Sequence, residues 1–182
     1  MRFATSELLG LIQIGKSLAL PLELLEESIS YAYPSIQVKR MLPMGEPADA
    51  YDSRRNQYHS TRILAQLEQG IRNMSVERLL GVTNFDLFVP GLNFVFGEAR
   101  LPGRVGVIST YRLKTSPRRG VDLFNGRVEK EAVHEIGHMM GLEHCSDRSC
   151  VMYFSNTLAD TDHKSRNLCR KCKSRLSVQI EQ

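Results

Sequence analysis

The feature that most constrains this chain is the pattern H-E-x-x-H-x-x-G-x-x-H, which begins at His134 and ends at His144. If the first part of the pattern is helical, His134 and His138 lie four residues apart on one face, with Cβ atoms about 6 Å apart. Gly141 follows three residues after His138, where a residue without Cβ can adopt positive φ and turn the chain back under the helix end. The pattern therefore predicts a helix, a tight turn and three imidazoles that converge.

Three convergent imidazoles of this kind are typical of a catalytic zinc site. As ligands, His134, His138 and His144 leave one coordination position open for water, and zinc lowers the pKa of that water to about 7. Glu135 directly follows the first histidine, so its carboxylate can lie beside the ion without being a ligand and can accept a proton from the water. We therefore expect zinc-dependent hydrolysis with Glu135 as the general base.

The competing interpretation is a surface helix whose two histidines make ordinary hydrogen bonds, since the short H-E-x-x-H string recurs by chance. Apolar residues argue against it, because they cover most of the circumference of a helix over residues 128–140. A buried face that carries Glu131 as well as Glu135 and the histidines would be costly unless these groups were paired or bound to metal. The helix is therefore predicted to be buried and to hold an ion.

All four cysteines lie in the last quarter of the chain, at spacings C-x4-C and C-x2-C: Cys145, Cys150, Cys169 and Cys172. These spacings predict a structural zinc site. Two disulfides are the alternative that an even count permits, but the N-terminus does not read as a secretory signal, and structural disulfides need an oxidising compartment. Because successive side chains of an extended backbone point to opposite sides, His144 and Cys145 can bind two different and neighbouring ions.

The histidine pattern resembles the signature of the metzincin metallopeptidases, in which a methionine turn follows beneath the metal. Met152 is placed for that turn. The continuation through the four cysteines is similar to one metzincin branch, the archaemetzincins, as are the segments NFVFGEA at 93–99 and VISTYRL at 107–113. The resemblance covers most of the chain.

This resemblance implies a zinc-dependent peptidase with two zinc ions, one catalytic and one structural. It also implies that the last strand before the active-site helix runs along the cleft edge and pairs with the substrate backbone. The chain departs from the metzincin pattern at the methionine turn, where it has Met152-Tyr153 in place of Met-x-Tyr. No tyrosine is therefore assigned as a transition-state stabiliser.

Hydrophobic periodicity predicts strands over 9–14, 36–42, 84–89, 93–101 and 105–112, and helices over 21–32 and 62–74. With the active-site helix last, this order predicts an α/β (α+β) fold of metzincin-like zincin type. Its mixed, twisted five-stranded sheet has parallel first strands and later strands that turn back as hairpins. The polar segments 43–57 and 116–120 are predicted to be exposed loops.

A chain of 182 residues fits one globular domain. We expect a single metallopeptidase domain over 1–182, in which residues 1–144 form the sheet and the active-site helix. Residues 145–182 are expected to form an irregular C-terminal subdomain that zinc, more than a large core, holds together. The apolar run 8–14 is too short to span a bilayer and follows an acidic residue, so we expect a soluble, cytoplasmic protein with no membrane partner.

The net charge of +4 is unevenly distributed, because six cations surround the late cysteine pair: Lys164, Arg166, Arg170, Lys171, Lys173 and Arg175. A zinc ion held by four thiolates carries a formal charge of about −2, which nearby cations stabilise. No aromatic residue lies among these cations, although stacking platforms normally accompany grooves that bind single-stranded nucleic acid. Charge compensation is therefore favoured over a nucleic-acid interface.

These observations predict a zinc-dependent peptidase that acts on a peptide or protein substrate. The alternative is a zinc-stapled binding module whose H-E-x-x-H cleft is inactive or unoccupied, and whose basic C-terminal segment engages nucleic acid or an acidic protein. A purely structural zinc protein is a third interpretation. Both rivals require the intact Glu135 to be incidental.

Overall fold

The computed structural model describes residues 7–16, 18, 20–114 and 120–180, the last three by their backbone alone. In chain order the elements are β1 (Glu7–Ile14), α1 (Glu23–Ala32), β2 (Ile36–Arg40), β3 (Tyr51–Asp52), β4 (Gln57–His59), α2 (Ser60–Gly70), β5 (Arg78–Thr83), β6 (Leu87–Phe88), β7 (Gly97–Ala99), β8 (Val105–Ser109), α3 (Val121–Met139), α4 (Leu158–His163) and α5 (Arg170–Ile180), with 3₁₀ turns at Ala48–Ala50 and Ile71–Asn73. Within the described ranges, no helix combines the length and the apolar character that crossing a membrane requires.

The main sheet contains five strands in the order β2-β1-β5-β8-β7. The first four are parallel to their neighbours, and β7 at the edge is antiparallel to β8. Every residue of β8 is buried, as is typical of parallel strands that helices cover on both faces. The predicted mixed five-stranded sheet is therefore confirmed, including the final hairpin between β7 and β8.

The predicted assignment of strands to this sheet was partly wrong. The central strand β5 was not predicted, and the predicted strand over 84–89 contributes only Leu87–Phe88 to a separate sheet of order β3-β4-β6. Gly81 interrupts the apolar run that would have predicted β5. A glycine is required there because a Cβ would lie 2.6 Å from Ile14 Cδ1. The segment 43–57, predicted to be a loop, contains a 3₁₀ turn, β3 and the first residue of β4. Strands of two or three residues are too short for a periodic signal.

Helices cover both faces of the main sheet. Leu80 and Val82 of β5 pack in one cluster with residues of α1 and α3. Leu79, on the opposite face of the sheet, packs with residues of α2. The active-site helix α3 begins at Val121, seven residues before the predicted start at 128, and its second half is buried on nearly every side. The expectation of a buried helix is therefore confirmed, and His134 and His138 lie in this buried half.

The C-terminal quarter is more regular than the sequence predicted. It contains α4, which begins with a capping box between Thr157 and Asp160, and α5. Val151, Leu168 and Leu176 belong to the same core cluster as α1 and α3. The segment therefore shares the main hydrophobic core, and the expectation of an irregular structure was wrong. That zinc holds this segment together stays a prediction. The loop predicted over 116–120 lies outside the described residues except for Gly120.

We predict that Leu80→Ala lowers the free energy of unfolding by about 2–5 kcal/mol, because it opens a cavity in the central strand. Leu80 is 0% exposed, whereas Leu42, the matched control, is 88% exposed. Leu42→Ala should change stability by no more than about 0.5 kcal/mol. Equilibrium denaturation of the zinc-replete protein measures both values, and equal effects of the two substitutions would contradict the assignment of β5 to the core.

Candidate active site

Three histidines of the signature converge at the end of α3. His134 and His138 lie one turn apart on the helix, and Gly141, at φ of 90°, turns the chain so that His144 returns to them. Nε2 of His138 lies 3.0 Å from Nε2 of His134 and 3.2 Å from Nε2 of His144. Nitrogen ligands of one tetrahedral zinc lie about 3.3 Å apart, so these separations suit a shared ion.

Backbone carbonyls determine which ring nitrogens carry the protons. Nδ1 of His134 lies 2.8 Å from the Val151 oxygen, and Nδ1 of His138 lies 2.7 Å from the Leu142 oxygen. A carbonyl only accepts hydrogen bonds, so both Nδ1 atoms must donate, and both Nε2 atoms therefore present lone pairs. Two lone pairs aimed at each other repel unless a cation lies between them, so the residues fit a bound metal.

Burial also keeps these imidazoles neutral. It lowers the pKa of His134 well below its usual range, lowers the pKa of His138 to about 4, and lowers the pKa of His144, whose side chain is more exposed than the other two. In each case burial is the largest cause, because it disfavours the charged form. Neutral imidazole is the form that binds metal, so the three side chains are ready to act as ligands at neutral pH.

Glu135 lies beside the histidines as a buried carboxylate, and one of its oxygens, Oε2, has no hydrogen-bond partner among the described residues. Burial raises its pKa, and the nearby Glu131 carboxylate raises it further. The other oxygen lies against strand β7, where a Cβ on Gly97 would be only 2.6 Å from Glu135 Oε1. An unpartnered buried carboxylate oxygen needs a water molecule or an ion nearby.

Met152 packs beneath the histidine-bearing turn of α3. A Cβ on Gly137 would lie 2.4 Å from Met152 Sδ and 3.0 Å from Tyr33 Oη. Tyr33 donates a hydrogen bond of 2.7 Å to the Val133 carbonyl, and burial raises its pKa. Tyr33 was not predicted as part of this support, because nothing near it in the sequence relates it to α3. The absence of a side chain at Gly137 lets both residues reach the helix.

The four cysteines form a second cluster next to the first. Sγ of Cys145 lies 3.8 Å from Sγ of Cys169, and Sγ of Cys150 lies 3.8 Å from Sγ of Cys172. All four sulfurs lie within 4.8 Å of one another. Sulfur ligands of a tetrahedral zinc are about 3.8 Å apart, whereas disulfide sulfurs are about 2.05 Å apart. The thiols are free in the structure, and their geometry suits a tetrahedral ion.

A cavity of about 370 Å³ opens above the histidines and Glu135. It is lined by β7 and the segment before it, from Leu92, and also by Phe154, Ser155 and Asn156. The resemblance implied that the last strand before the helix would lie at the cleft edge. That strand, β8, instead lies between β5 and β7, so β7 is the edge strand. Strand β7 precedes β8 in the chain but pairs with its outer side, so the earlier of the two strands lies at the edge of the sheet.

Lys164 was predicted to be one of the cations around the thiolates, but it is buried and pairs with Glu131. Its Nζ lies 3.0 Å from Glu131 Oε1, with side-chain exposures of 0% and 4%. Glu131 was expected to need either a partner or the metal, and the structure gives it the partner. Arg166 lies 3.3 Å from Glu129, and the other four predicted cations are exposed on α5. The Glu131–Lys164 pair joins residues too far apart in sequence for any local signal.

Comparison with known proteins gives a consistent set of relatives. A family model described as Peptidase family M54 matches residues 16–178. An archaemetzincin of Methanopyrus kandleri is 42% identical over 156 residues, which is 86% of each protein. A crystal structure of archaemetzincin from that organism has a TM-score of 0.86 at 37% identity, covering 100% of this chain and 99% of the other. A structure described as a zinc-dependent peptidase from Methanocorpusculum labreanum has a TM-score of 0.79 at 28% identity, covering 92% and 99%.

We predict that Gly137→Ala displaces Met152 or Tyr33 and destabilises the protein by about 1–3 kcal/mol, as overpacking typically does. The matched control is Gly126→Ala on the same helix, since a Cβ there meets no atom within 4 Å. That control should leave stability unchanged or raise it by about 0.5–1 kcal/mol, because alanine favours helix. Thermal unfolding of both variants checks the prediction, which fails if Gly137→Ala is as stable as the control.

Proposed function

Since the chain belongs to peptidase family M54, the archaemetzincins, and is a zinc metallopeptidase, we propose that it hydrolyses peptide bonds with zinc held by His134, His138 and His144 and with Glu135 as the general base. The family predicted from the sequence is therefore confirmed. The observation that carries the finer proposal is the convergence of three imidazole nitrogens, 3.0 and 3.2 Å apart, beside the buried carboxylate of Glu135.

When bound, zinc supplies Lewis-acid chemistry, which polarises the scissile carbonyl and lowers the pKa of water. Glu135 accepts the proton of the attacking water and then returns it to the leaving amine. Burial raises the pKa of this carboxyl group, which suits a residue that must both take and give a proton. Gly97 lets the carboxylate lie directly against the edge strand, where the scissile bond would be placed.

Strand β7 is proposed to bind the substrate backbone. It pairs with β8 on one side only, so its other edge faces the cleft. An extended peptide can add to such an edge through main-chain hydrogen bonds, which bring affinity without selecting a sequence. Phe94, Phe96 and Phe154 line the same cleft and offer apolar surface to substrate side chains.

We propose that a second, structural zinc is held by Cys145, Cys150, Cys169 and Cys172, and that residues 145–182 form the corresponding subdomain. The Cys145 N–H donates a hydrogen bond of 2.9 Å to the Met152 carbonyl, which closes the turn between the two sites. The same turn presents the Val151 carbonyl to His134. The structural ion would thus hold the turn that orients a catalytic ligand, and its four thiols favour a reducing compartment such as the cytoplasm.

The binding-module alternative gains no support from the site. Its inactive cleft would not need a carboxylate beside three convergent imidazoles, and both are present. The exposed cations of α5 lie next to the cysteine cluster, where they can compensate thiolate charge.

We predict that Glu135→Gln binds zinc normally but turns over peptides about 10²–10⁴-fold more slowly, because it removes the proton acceptor and leaves every proposed ligand intact. Glu143→Gln is the matched control, since Glu143 is an exposed carboxylate within the same signature. It should retain wild-type activity. Assays on a mixed peptide library, with zinc content verified for each protein, test the assignment, and equal rates for Glu135→Gln and wild type would refute it.

A further inference from the structure

A second buried carboxylate lies beside the proposed catalytic site. Glu131 precedes His134 by three residues, so the two side chains share a face of α3. Glu131 also lines the same cavity as the three histidines. Carboxylate oxygens bind zinc readily at about 2.0–2.2 Å, so Glu131 is a fourth possible ligand. As a ligand it would close the coordination position that hydrolysis requires to be open.

The structure holds this carboxylate away from the histidines. Lys164 Nζ lies 3.0 Å from Glu131 Oε1, and Thr161 Oγ1 lies 3.5 Å from the same oxygen. In the described part of the chain, the histidine cluster whose donor atoms lie within 4.8 Å of one another consists of His134, His138 and His144 and does not include Glu131. Lys164 therefore holds the Glu131 carboxylate that a metal ion between the histidines would otherwise attract.

Lys164 itself is anchored and cannot follow Glu131. Its backbone N–H donates to the Asp160 carbonyl, and the next N–H, that of Ser165, donates to the Ser149 carbonyl. Helix α4, which ends just before it, is fastened to α3 because Arg127 donates two hydrogen bonds of 2.6 Å to the Asp162 carboxylate. The backbone that carries the buried Lys164 side chain is therefore held between α3 and the cysteine-bearing turn.

Stability alone does not account for this pair. A fully buried ion pair loses its hydration, and an apolar pair of similar volume commonly gives equal or greater stability. The charge of Lys164 is explained better by its effect on the position of the Glu131 carboxylate. It also offsets the repulsion between Glu131 and Glu135, which lie four residues apart on one helix face.

We propose that Lys164 is a positioning residue that sequesters Glu131, so that three histidines alone bind the catalytic ion and one coordination position stays open. The inference rests on the proposed zinc site. Lys164 would act through Glu131, with which it pairs, and is not itself a proposed ligand.

The test uses the full chain loaded with cobalt(II), whose visible absorption reports the number and kind of its ligands. In Lys164→Met the freed Glu131 carboxylate should join the ion, so the absorption of the nitrogen-ligated cobalt should change. A chelator should also remove this ion about tenfold more slowly. That change lies within the range by which residues around the ligands alter metal affinity. The cobalt–thiolate absorption of the cysteine site should not change, and it reports that the C-terminal region remains folded.

Two further variants keep the proposal falsifiable. The double variant Lys164→Met/Glu131→Gln lacks the competing carboxylate and should regain the wild-type cobalt spectrum even if the single variant is unstable. Arg166→Met removes the neighbouring ion pair between the exposed Arg166 and Glu129 and should leave the spectrum unchanged. An unchanged nitrogen-site spectrum in a folded Lys164→Met, or no rescue in the double variant, would overturn the proposal. A wild-type protein without a nitrogen-ligated cobalt spectrum would instead overturn the proposed zinc site.

Discussion

Neutral imidazoles can aim lone pairs at one another across 3.0 Å only if a cation lies between them. The other features of the site maintain this arrangement. The Val151 and Leu142 carbonyls fix the ring tautomers. The turn at Gly141, with φ of 90°, returns the third imidazole to the first two. Gly137 lets Met152 and Tyr33 support the helix from below.

The two clusters of possible ligands are parts of one structure. The turn from Cys145 to Met152 begins at a thiol and carries the carbonyl that orients His134. Lys164, on the segment that pairs with this turn, reaches α3 through Glu131. Because Val151 and Leu176 share the core of α1 and α3, the cysteine region supports the cleft through packing, and the structural zinc that we propose would add to this support.

The sequence predicted the parts of the site that local spacing determines. The helix, the glycine turn and the three histidines depend on neighbours within a few residues, and the structure brings the histidines together. The four cysteines come from two distant segments, and the zinc-type spacing within each segment predicted their cluster. Contacts between distant segments were missed: the pairing of Glu131 with Lys164 and the support from Tyr33. Strand β5 was missed because Gly81 interrupts its apolar run. The last strand before the active-site helix, β8, was expected at the cleft edge, but β7 lies there, because chain order does not determine strand order in an antiparallel hairpin.

The central claim is that the three imidazoles face one another because they share a zinc ion, beside a second zinc among the thiols. Anomalous diffraction from crystals of the zinc-replete protein, recorded on both sides of the zinc absorption edge, tests it directly. The account predicts two peaks per chain, one about 2.0–2.1 Å from the three histidine Nε2 atoms and one about 2.3 Å from the four Sγ atoms. The absence of a peak between the histidines, or a peak there with Glu131 as a ligand in the wild-type protein, would contradict it.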